Sequence, residues 1–359
     1  MNVYGVLMAG GVGTRFWPRS RRKSPKQVLK ITGSDTMIQA TQKRLKGLVE
    51  DKNIYIVTNH EQYGIIHNQL PQLDKSNFLL EPFGRNTAPC IGLAAIHIIA
   101  KDPNGVMLVL PADHLIADVK SFQQLSKIAI KFVSENEGLI TLGIKPTFPS
   151  TAYGYVQRGK EATQLSGHDI YKVRTFAEKP NYQTADRFLK SGDFYWNSGM
   201  FIWKASTILN EISDNLPEIY EGLLQVKECL NSPSYPKKVE EIYKSFRNIS
   251  IDYGVMQSSE QVYVIPADFG WNDMGSWEIV YDIAAKDKKK IAGEFDELIN
   301  IDSSECYISA PEKAVAIVGV KNILVVDTGD ALLICKKSHS QNVKEVVEQL
   351  KKRGLNELL

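Results

Sequence analysis

An α/β fold built on a mixed, mostly parallel sheet, with a small β unit after it, is what this sequence predicts, on three observations. Short β-branched runs alternate with helical patterns in the first third of the chain. The first of these runs leads straight into Gly10, Gly11 and Gly13. Beyond Lys286-Asp287-Lys288-Lys289-Lys290, further short β runs recur about every eight to ten residues. Strand-helix alternation requires a sheet covered on both faces, and ligands of such sheets gather at the carboxyl ends of the strands.

Taken in order, Val3–Met8, Ile54–Thr58, Phe78–Leu80, Val106–Leu110 and Leu139–Ile144 read as strands. Between the first two, Thr36-Met37-Ile38-Gln39 is a capping box that starts a helix. A second helix is expected to start at Asn86-Thr87, with Pro89 tolerated in its first turn and Ile91 to Ile99 almost wholly apolar. From Tyr153 to about Trp203 the pattern turns to short strands, Tyr155–Arg158, Tyr171–Phe176 and Met200–Trp203, and reads as an insertion hanging over the ligand edge of the sheet. Helical segments follow from about Ala205 to Phe246. The lysine-rich stretch reads as a solvated charged turn and as the linker between units spanning 1–285 and 291–359. After it, runs near Tyr307, Val315–Val318, Ile323–Val326 and Leu332–Ile334 suit a small β domain or solenoid fragment. Val343, Val346, Val347 and Leu350 then mark one face of a closing helix that could pack on the β unit or on a partner subunit.

Composition narrows the function. At 359 residues, with 43% hydrophobic and 23% charged residues, the chain can bury a core, which excludes disorder and fibres. A net charge of +2 is too small for the one-sided field of a nucleic-acid or membrane-surface binder, so an anionic ligand must be held by a local site. Cys90, Cys229, Cys306 and Cys335 form no C-x-x-C pair, which argues for reduced, buried thiols rather than a zinc ribbon or disulfide scaffold. The apolar start lacks a basic leader and no run approaches the ~18 residues of a membrane span, so a cytoplasmic location is expected.

The glycine-rich turn carries the chemistry. Leu7-Met8-Ala9-Gly10-Gly11-Val12-Gly13-Thr14-Arg15 lets the backbone bend sharply and brings N–H groups against phosphate oxygens, with Arg15 and Lys26 adding charge. The dinucleotide fingerprint would need a glycine at Phe16, and the Walker pattern would need Gly-Lys-Ser/Thr, so neither applies. Asp113 follows the apolar run Val106–Leu110 and therefore stands where ligands bind.

Several motifs occur in this order: Gly10-Gly11-Val12-Gly13-Thr14-Arg15-Phe16-Trp17-Pro18 with Pro25-Lys26-Gln27, Pro111-Ala112-Asp113-His114, Phe176-Ala177-Glu178-Lys179-Pro180, Trp196-Asn197-Ser198-Gly199-Met200-Phe201, and Phe269-Gly270-Trp271-Asn272-Asp273-Met274-Gly275-Ser276-Trp277. With them the chain resembles the sugar-nucleotide pyrophosphorylases, in particular the mannose-1-phosphate guanylyltransferase family. Ala177, where valine is commoner, and Met274 depart from the pattern without altering its polar atoms. The resemblance implies a Rossmann-like nucleotidyltransferase domain of the GT-A type and a short left-handed β-helix in the tail, from Ala316 to Cys335, without the isomerase domain of bifunctional relatives.

The activity it implies joins GTP and mannose 1-phosphate into GDP-mannose and pyrophosphate, by attack of the sugar phosphate on the α-phosphorus. The nucleophile is already an anion, so the absence of a Ser-His-Asp or Cys-His set fits catalysis by positioning and charge neutralisation. By the same resemblance, Arg15 holds the departing pyrophosphate and Lys26 stabilises charge at the α-phosphate. Ala9, Gly10, Gly11, Gly13 and Thr14 line the nucleotide. Asp113 and Asp273 would bind Mg²⁺ through carboxylates, phosphate oxygens and water; alone, each reads equally as a turn aspartate. Glu81 could accept from the paired N–H donors of guanine, or be a solvent-facing loop acid. Asn86 could assist it, or be a helix cap.

Glu178 and Asn197 are assigned the sugar hydroxyls, Lys179 the sugar's phosphate and Gly154 a close backbone approach; Glu178 and Lys179 also read as a local ion pair. Trp196, Trp271 and Trp277 read as core, and His114 as a structural residue. Expected partners are GTP and mannose 1-phosphate, with no nucleic acid and no membrane, and a homodimer is allowed. Alternatives are a pyrophosphorylase for another base or sugar, and a catalytically silent nucleotide-sugar sensor, against which Arg15, Lys26, Asp113 and Asp273 speak.

Overall fold

The computed structural model describes residues 1–359. Its strands are β1 (Val3–Met8), β2 (Ile54–Asn59), β3 (Phe78–Glu81), β4 (Val106–Pro111), β5 (Leu115–Ile116), β6 (Leu139–Ile144), β7 (Tyr155–Leu165), β8 (His168–Ala177), β9 (Phe194–Lys204), β10 (Val262–Ala267), β11 (Trp271–Asn272), β12 (Ala292–Ile301), β13 (Tyr307–Val318), β14 (Ile323–Asp327) and β15 (Leu332–Lys336). A nine-stranded sheet runs in the order β3-β2-β1-β4-β9-β6-β10-β8-β7, and β11 and β5 form a separate two-stranded ribbon. The pairs β3–β2, β2–β1, β1–β4 and β6–β10 are parallel. Consequently β1, β2, β3 and β4 all end on one edge, at Met8, Asn59, Glu81 and Pro111.

Period-two alternation builds two cores from each strand. Val6, Met107, Val109, Phe201 and Trp203 enter a core with helices Thr87–Lys101, Ala205–Asn215, Pro217–Glu228 and Tyr235–Ser245. Leu7, Val106, Leu108, Leu110 and Ile202 enter the opposite core with helix Val119–Glu135. The capping box forms as read, Thr36 and Gln39 each satisfying the other's backbone N–H at the start of helix Met37–Lys43.

One expectation is corrected. The segment around Met200–Trp203 does not hang over the sheet; it runs as β9 through the sheet's centre, antiparallel to β4 and β6. Met200, Phe201, Ile202 and Trp203 are apolar on both faces, so only a slot covered on both sides hides them. The long hairpin β7–β8 extends the sheet's far edge through β10.

In the C-terminal unit β12–β13 and β13–β14 are parallel, as in a β-helix, and β15 returns antiparallel to β14. Its helix Val343–Lys352 packs on the same chain: Val343, Val347 and Leu350 share a core with Leu324, Val326 and Leu333, and with Phe16, Trp17, Met274 and Trp277 of the glycine-rich turn's surroundings. The Trp17 indole donates to the Leu358 carbonyl at 2.9 Å, and Arg21 pairs with Asp330 at 3.2 Å. No helix is long and apolar enough to cross a membrane. All four cysteines are free thiols, Cys90 and Cys306 buried and Cys229 and Cys335 half-buried.

Candidate active site

The turn after β1 is held by its carbonyls. The Ala9 carbonyl accepts from Gln27 Nε2 at 2.8 Å and Thr58 Oγ1 at 2.9 Å, and the Gly11 carbonyl from Gln27 Nε2 at 3.0 Å. Val12 O accepts from the Lys26 amide, and Gly13 O from the Phe16 amide and the Ser20 hydroxyl. With the carbonyls held this way, the N–H groups of Gly10, Gly11, Val12 and Gly13 find no acceptor in the protein. Four consecutive free amides form a cradle for an anion. Ala9 differs, since its N–H donates to Val57 O and ties the turn to β2. Gly13 has φ +74°, and a Cβ there would lie 2.4 Å from Lys26 Cβ. Only glycine meets both conditions.

The cradle opens on a cleft of about 480 Å³ lined by Thr14, Arg15, Lys26, Asp113, His114 and Asp273, among others. Lys26 is buried, and its ammonium donates to Asp113 Oδ2 at 2.9 Å and to the Asp273 carbonyl at 2.8 Å. The two aspartates, far apart in sequence, thus meet on one cation. Burial pushes the Asp113 carboxyl up, but the charge of Lys26 and the hydrogen bond it donates outweigh this and hold the carboxyl below the usual range. Asp273 Oδ1 accepts from Tyr153 Oη at 2.8 Å. Burial, reinforced by Asp273, raises the Tyr153 phenol and keeps it a donor. Arg15 forms no ion pair with the protein, and its buried Nε has no partner.

His114 is lowered by burial and is therefore neutral near pH 7. Its Nδ1 accepts from Trp271 Nε1 at 3.2 Å, which leaves the ring proton on Nε2, 4.0 Å from Asp113 Oδ1. Trp271 is thus a donor at the cleft rather than plain core, while Trp277 and Trp196 are buried.

Glu81 ends β3 beside the turn, with Oε2 3.5 Å from where a Gly10 Cβ would stand. It is 4% exposed, Oε1 has no partner, and burial pushes its carboxyl up to about 8. Asn86 is exposed, and its side-chain carbonyl accepts from the Thr87 amide as the cap of helix Thr87–Lys101.

A second cluster adjoins the cleft through residue 153. A Cβ on Gly154 would be 2.2 Å from Glu178 Oε2 and 3.3 Å from Asn197 Cβ, so the three are in close contact. Lys179 pairs with Glu178 at 2.9 Å. The Asn197 carbonyl oxygen accepts from Thr141 Oγ1 at 2.8 Å and the Gly199 amide at 3.2 Å, and its Nδ2 donates to Asp252 Oδ1 at 2.7 Å. Sequence reasoning missed Tyr153 and Asp252, and also Gln62, whose side-chain oxygen accepts from Gln27 Nε2 at 3.1 Å and whose Nε2 donates to the Gly11 carbonyl at 3.4 Å. No motif spacing marks them; Gln27 stood in a quoted motif, but without a role.

Comparison with known proteins identifies the family. Residues 4–290 match the nucleotidyl transferase family, and residues 296–350 match a mannose phosphate isomerase/GMP-like β-helix domain. A mannose-1-phosphate guanylyltransferase of Klebsiella pneumoniae is 39% identical over 98% of this chain and 74% of its own. One from Escherichia coli K12 is 39% identical over 99% of this chain and 75% of its own. Among solved structures, a Thermus thermophilus protein described as a mannose-1-phosphate geranyltransferase superposes with a TM-score of 0.86 at 30% identity, over 98% of this chain and 100% of its own. The chain belongs to the nucleotidyl transferase family, in the group of the mannose-1-phosphate guanylyltransferases.

Proposed function

We infer that this nucleotidyltransferase joins GTP and mannose 1-phosphate to give GDP-mannose and pyrophosphate. The observation that carries the reading is the row of free amides from Gly10 to Gly13 beside Lys26 and Arg15, a phosphate site without a Ser-His-Asp or Cys-His set. The sugar phosphate supplies its own anionic oxygen, so the protein has to bring two anions together and neutralise them. The amides and Arg15 take the β- and γ-phosphates, and Lys26 stabilises the charge that builds on the α-phosphate. Glu178, Asn197 and Gly154 orient the hexose while Lys179 leaves Glu178 for the sugar's phosphate. Glu81 reads the base, with Asn86 at the margin of that pocket.

The Asp113 carboxylate already holds a cation, the Lys26 ammonium, which also donates to the main-chain carbonyl of Asp273, and the two carboxylates lining one cleft are hard donors of the kind Mg²⁺ takes. These two residues would hold the ion, which when bound neutralises charge between the α-phosphate and the incoming phosphate. Tyr153 fixes the Asp273 carboxylate for that purpose, and neutral His114, 4.0 Å from Asp113 Oδ1, adds no positive charge to compete with the ion. A cytoplasmic setting, where nucleoside triphosphates are made, fits such substrates. A homodimer would cover Ile299, Ile301, Val318, Leu332 and Ile334, which the C-terminal unit leaves exposed.

A matrix of nucleoside triphosphates against sugar 1-phosphates with Mg²⁺, scored by pyrophosphate release, tests the assignment. GTP with mannose 1-phosphate should dominate; a stronger signal for another pair would reassign the specificity, and none at all would favour a silent sensor.

A further inference from the structure

We propose that Asp252 is a specificity-determining residue of the sugar subsite, tied by one carboxylate oxygen to Asn197 and reading a hexose hydroxyl with the other. The proposal rests on the hexose 1-phosphate reading above and adds to it a residue from a separate part of the fold.

Asp252 opens a single π-helical turn, Asp252–Met256, an irregularity that often accompanies functional sites. The turn is anchored firmly. Ile251, Val255 and Met256 are buried in the core, the Ile251 amide donates to Thr87 Oγ1 at 2.8 Å, and a Cβ on Gly254 would strike Leu216 at 2.7 Å. A side chain carried on such a platform holds its position.

The network around Asn197 defines what the acid contributes. With its oxygen accepting from Thr141 and Gly199, Asn197 must aim Nδ2 at Asp252, and only one of its N–H groups stays free for a ligand. Orienting that amide takes one acceptor oxygen. Asp252 brings a second, which has no side-chain donor in the protein. It also brings a negative charge next to Glu178, and burial together with that neighbour pushes the Asp252 carboxyl up to about 6. Glu178, against the Gly154 backbone, has Lys179 as its counter-ion, whereas the free oxygen of Asp252 has no ammonium or hydroxyl bonded to it, so a second acid there is unfavourable unless a donor-rich ligand satisfies it. A sugar ring is such a ligand, its hydroxyls donating to the acids while its phosphate, which they repel, turns to Lys179. Tyr253, 47% exposed and donating to the Glu178 carbonyl at 3.4 Å, stands beside them.

The test uses the full-length chain with saturating GTP and Mg²⁺, and varies mannose 1-phosphate and its 2-, 3-, 4- and 6-deoxy analogues. Asp252→Asn keeps an oxygen for Asn197 Nδ2 while removing the charge and one acceptor. Its KM for mannose 1-phosphate should rise about 10- to 100-fold with a much smaller change in kcat, and GTP binding measured by calorimetry should stay at the wild-type value, which also reports an intact fold. One deoxy analogue, the one lacking the hydroxyl that Asp252 reads, should be used equally by both proteins. Asp252→Ala, which also frees Asn197, should be worse than Asp252→Asn.

An equal loss across all analogues, an unchanged KM, or a parallel loss of GTP binding overturns the role of Asp252 while the activity reading stands. If the wild-type protein releases no pyrophosphate with any hexose 1-phosphate, the activity reading fails and the proposal fails with it.

Discussion

At the scale of single residues the site is governed by burial of charge. Glu81 is an acid whose proton is retained in the folded protein near pH 7, because its carboxyl sits at about 8 against 4.5 when free. A carboxyl with a raised value loses its proton in the unfolded chain first, so stability falls as pH rises from about 4.5 to about 8 and levels off above that. Glu81→Gln removes this slope, and thermal melts of both proteins at several pH values measure it. On the reading that Glu81 recognises guanine, whose two donors only the ionised acid accepts in full, binding expels the proton. GTP affinity should therefore strengthen with pH below 8, by up to about tenfold per unit, and the glutamine variant should lose that dependence. Titration calorimetry in two buffers would show the released proton; equal slopes in both proteins would remove Glu81 from the base pocket.

Asp113 and Asp273 belong to the same scale. Asparagine keeps their shape, and at 273 it can still accept from Tyr153, but it cannot supply charge to a cation. Asp113→Asn and Asp273→Asn should each lower kcat by about 10²- to 10³-fold, with Asp273→Asn melting near the wild-type temperature. EDTA should abolish turnover and Mg²⁺ restore it, in an assay of pyrophosphate release. Activity that survives EDTA would rule out the metal role.

At the scale of elements, the turn after β1 works because its carbonyls are occupied. Gln27, Thr58 and Ser20 pin them, so the turn keeps its shape and its amides stay unpaired, which on the phosphate reading leaves no reorganisation to do when the anion arrives. Gly13→Ala attacks this arrangement directly. A left-handed alanine costs about 1–2 kcal/mol, and its Cβ would meet the Lys26 stem rather than a mobile side-chain end. Denaturant melts should register that loss, and turnover should drop at least about tenfold because Lys26 must move. A fully active Gly13→Ala protein would show that the turn tolerates another shape.

At the scale of the whole molecule, the C-terminal unit is part of the site's support. Phe16 and Trp17, next to Arg15, lie in one core with Val343, Val347 and Leu350, and Arg21 reaches across to Asp330. Deleting residues after Lys290 would uncover this core and release the segment that follows the phosphate turn. The truncated protein should melt at least about 5 °C lower, use GTP poorly even at low temperature, and change its sedimentation if the β unit carries the dimer contact. Wild-type kinetics from the truncated chain would instead make the unit dispensable.

What the sequence by itself determined here is local: strands from β-branched runs, the helix started by Thr36 and Gln39, and a glycine-rich turn placed after β1. Each depends on residues within a few positions of one another, so the pattern is complete in the linear text. The motifs also brought Lys26, Asp113 and Asp273 forward as candidates, though nothing in the spacing says that they meet. Only the tertiary structure decided that Met200–Trp203 fills the centre of the sheet, that Tyr153 clamps Asp273, and that Asp252 backs Asn197 from a turn 55 residues away. It also decided the state of Glu81, since the same glutamate exposed in a loop would be ionised at pH 7. Such outcomes depend on which segments the strand order brings together and how much water they exclude, and neither is a property of neighbouring residues in the chain.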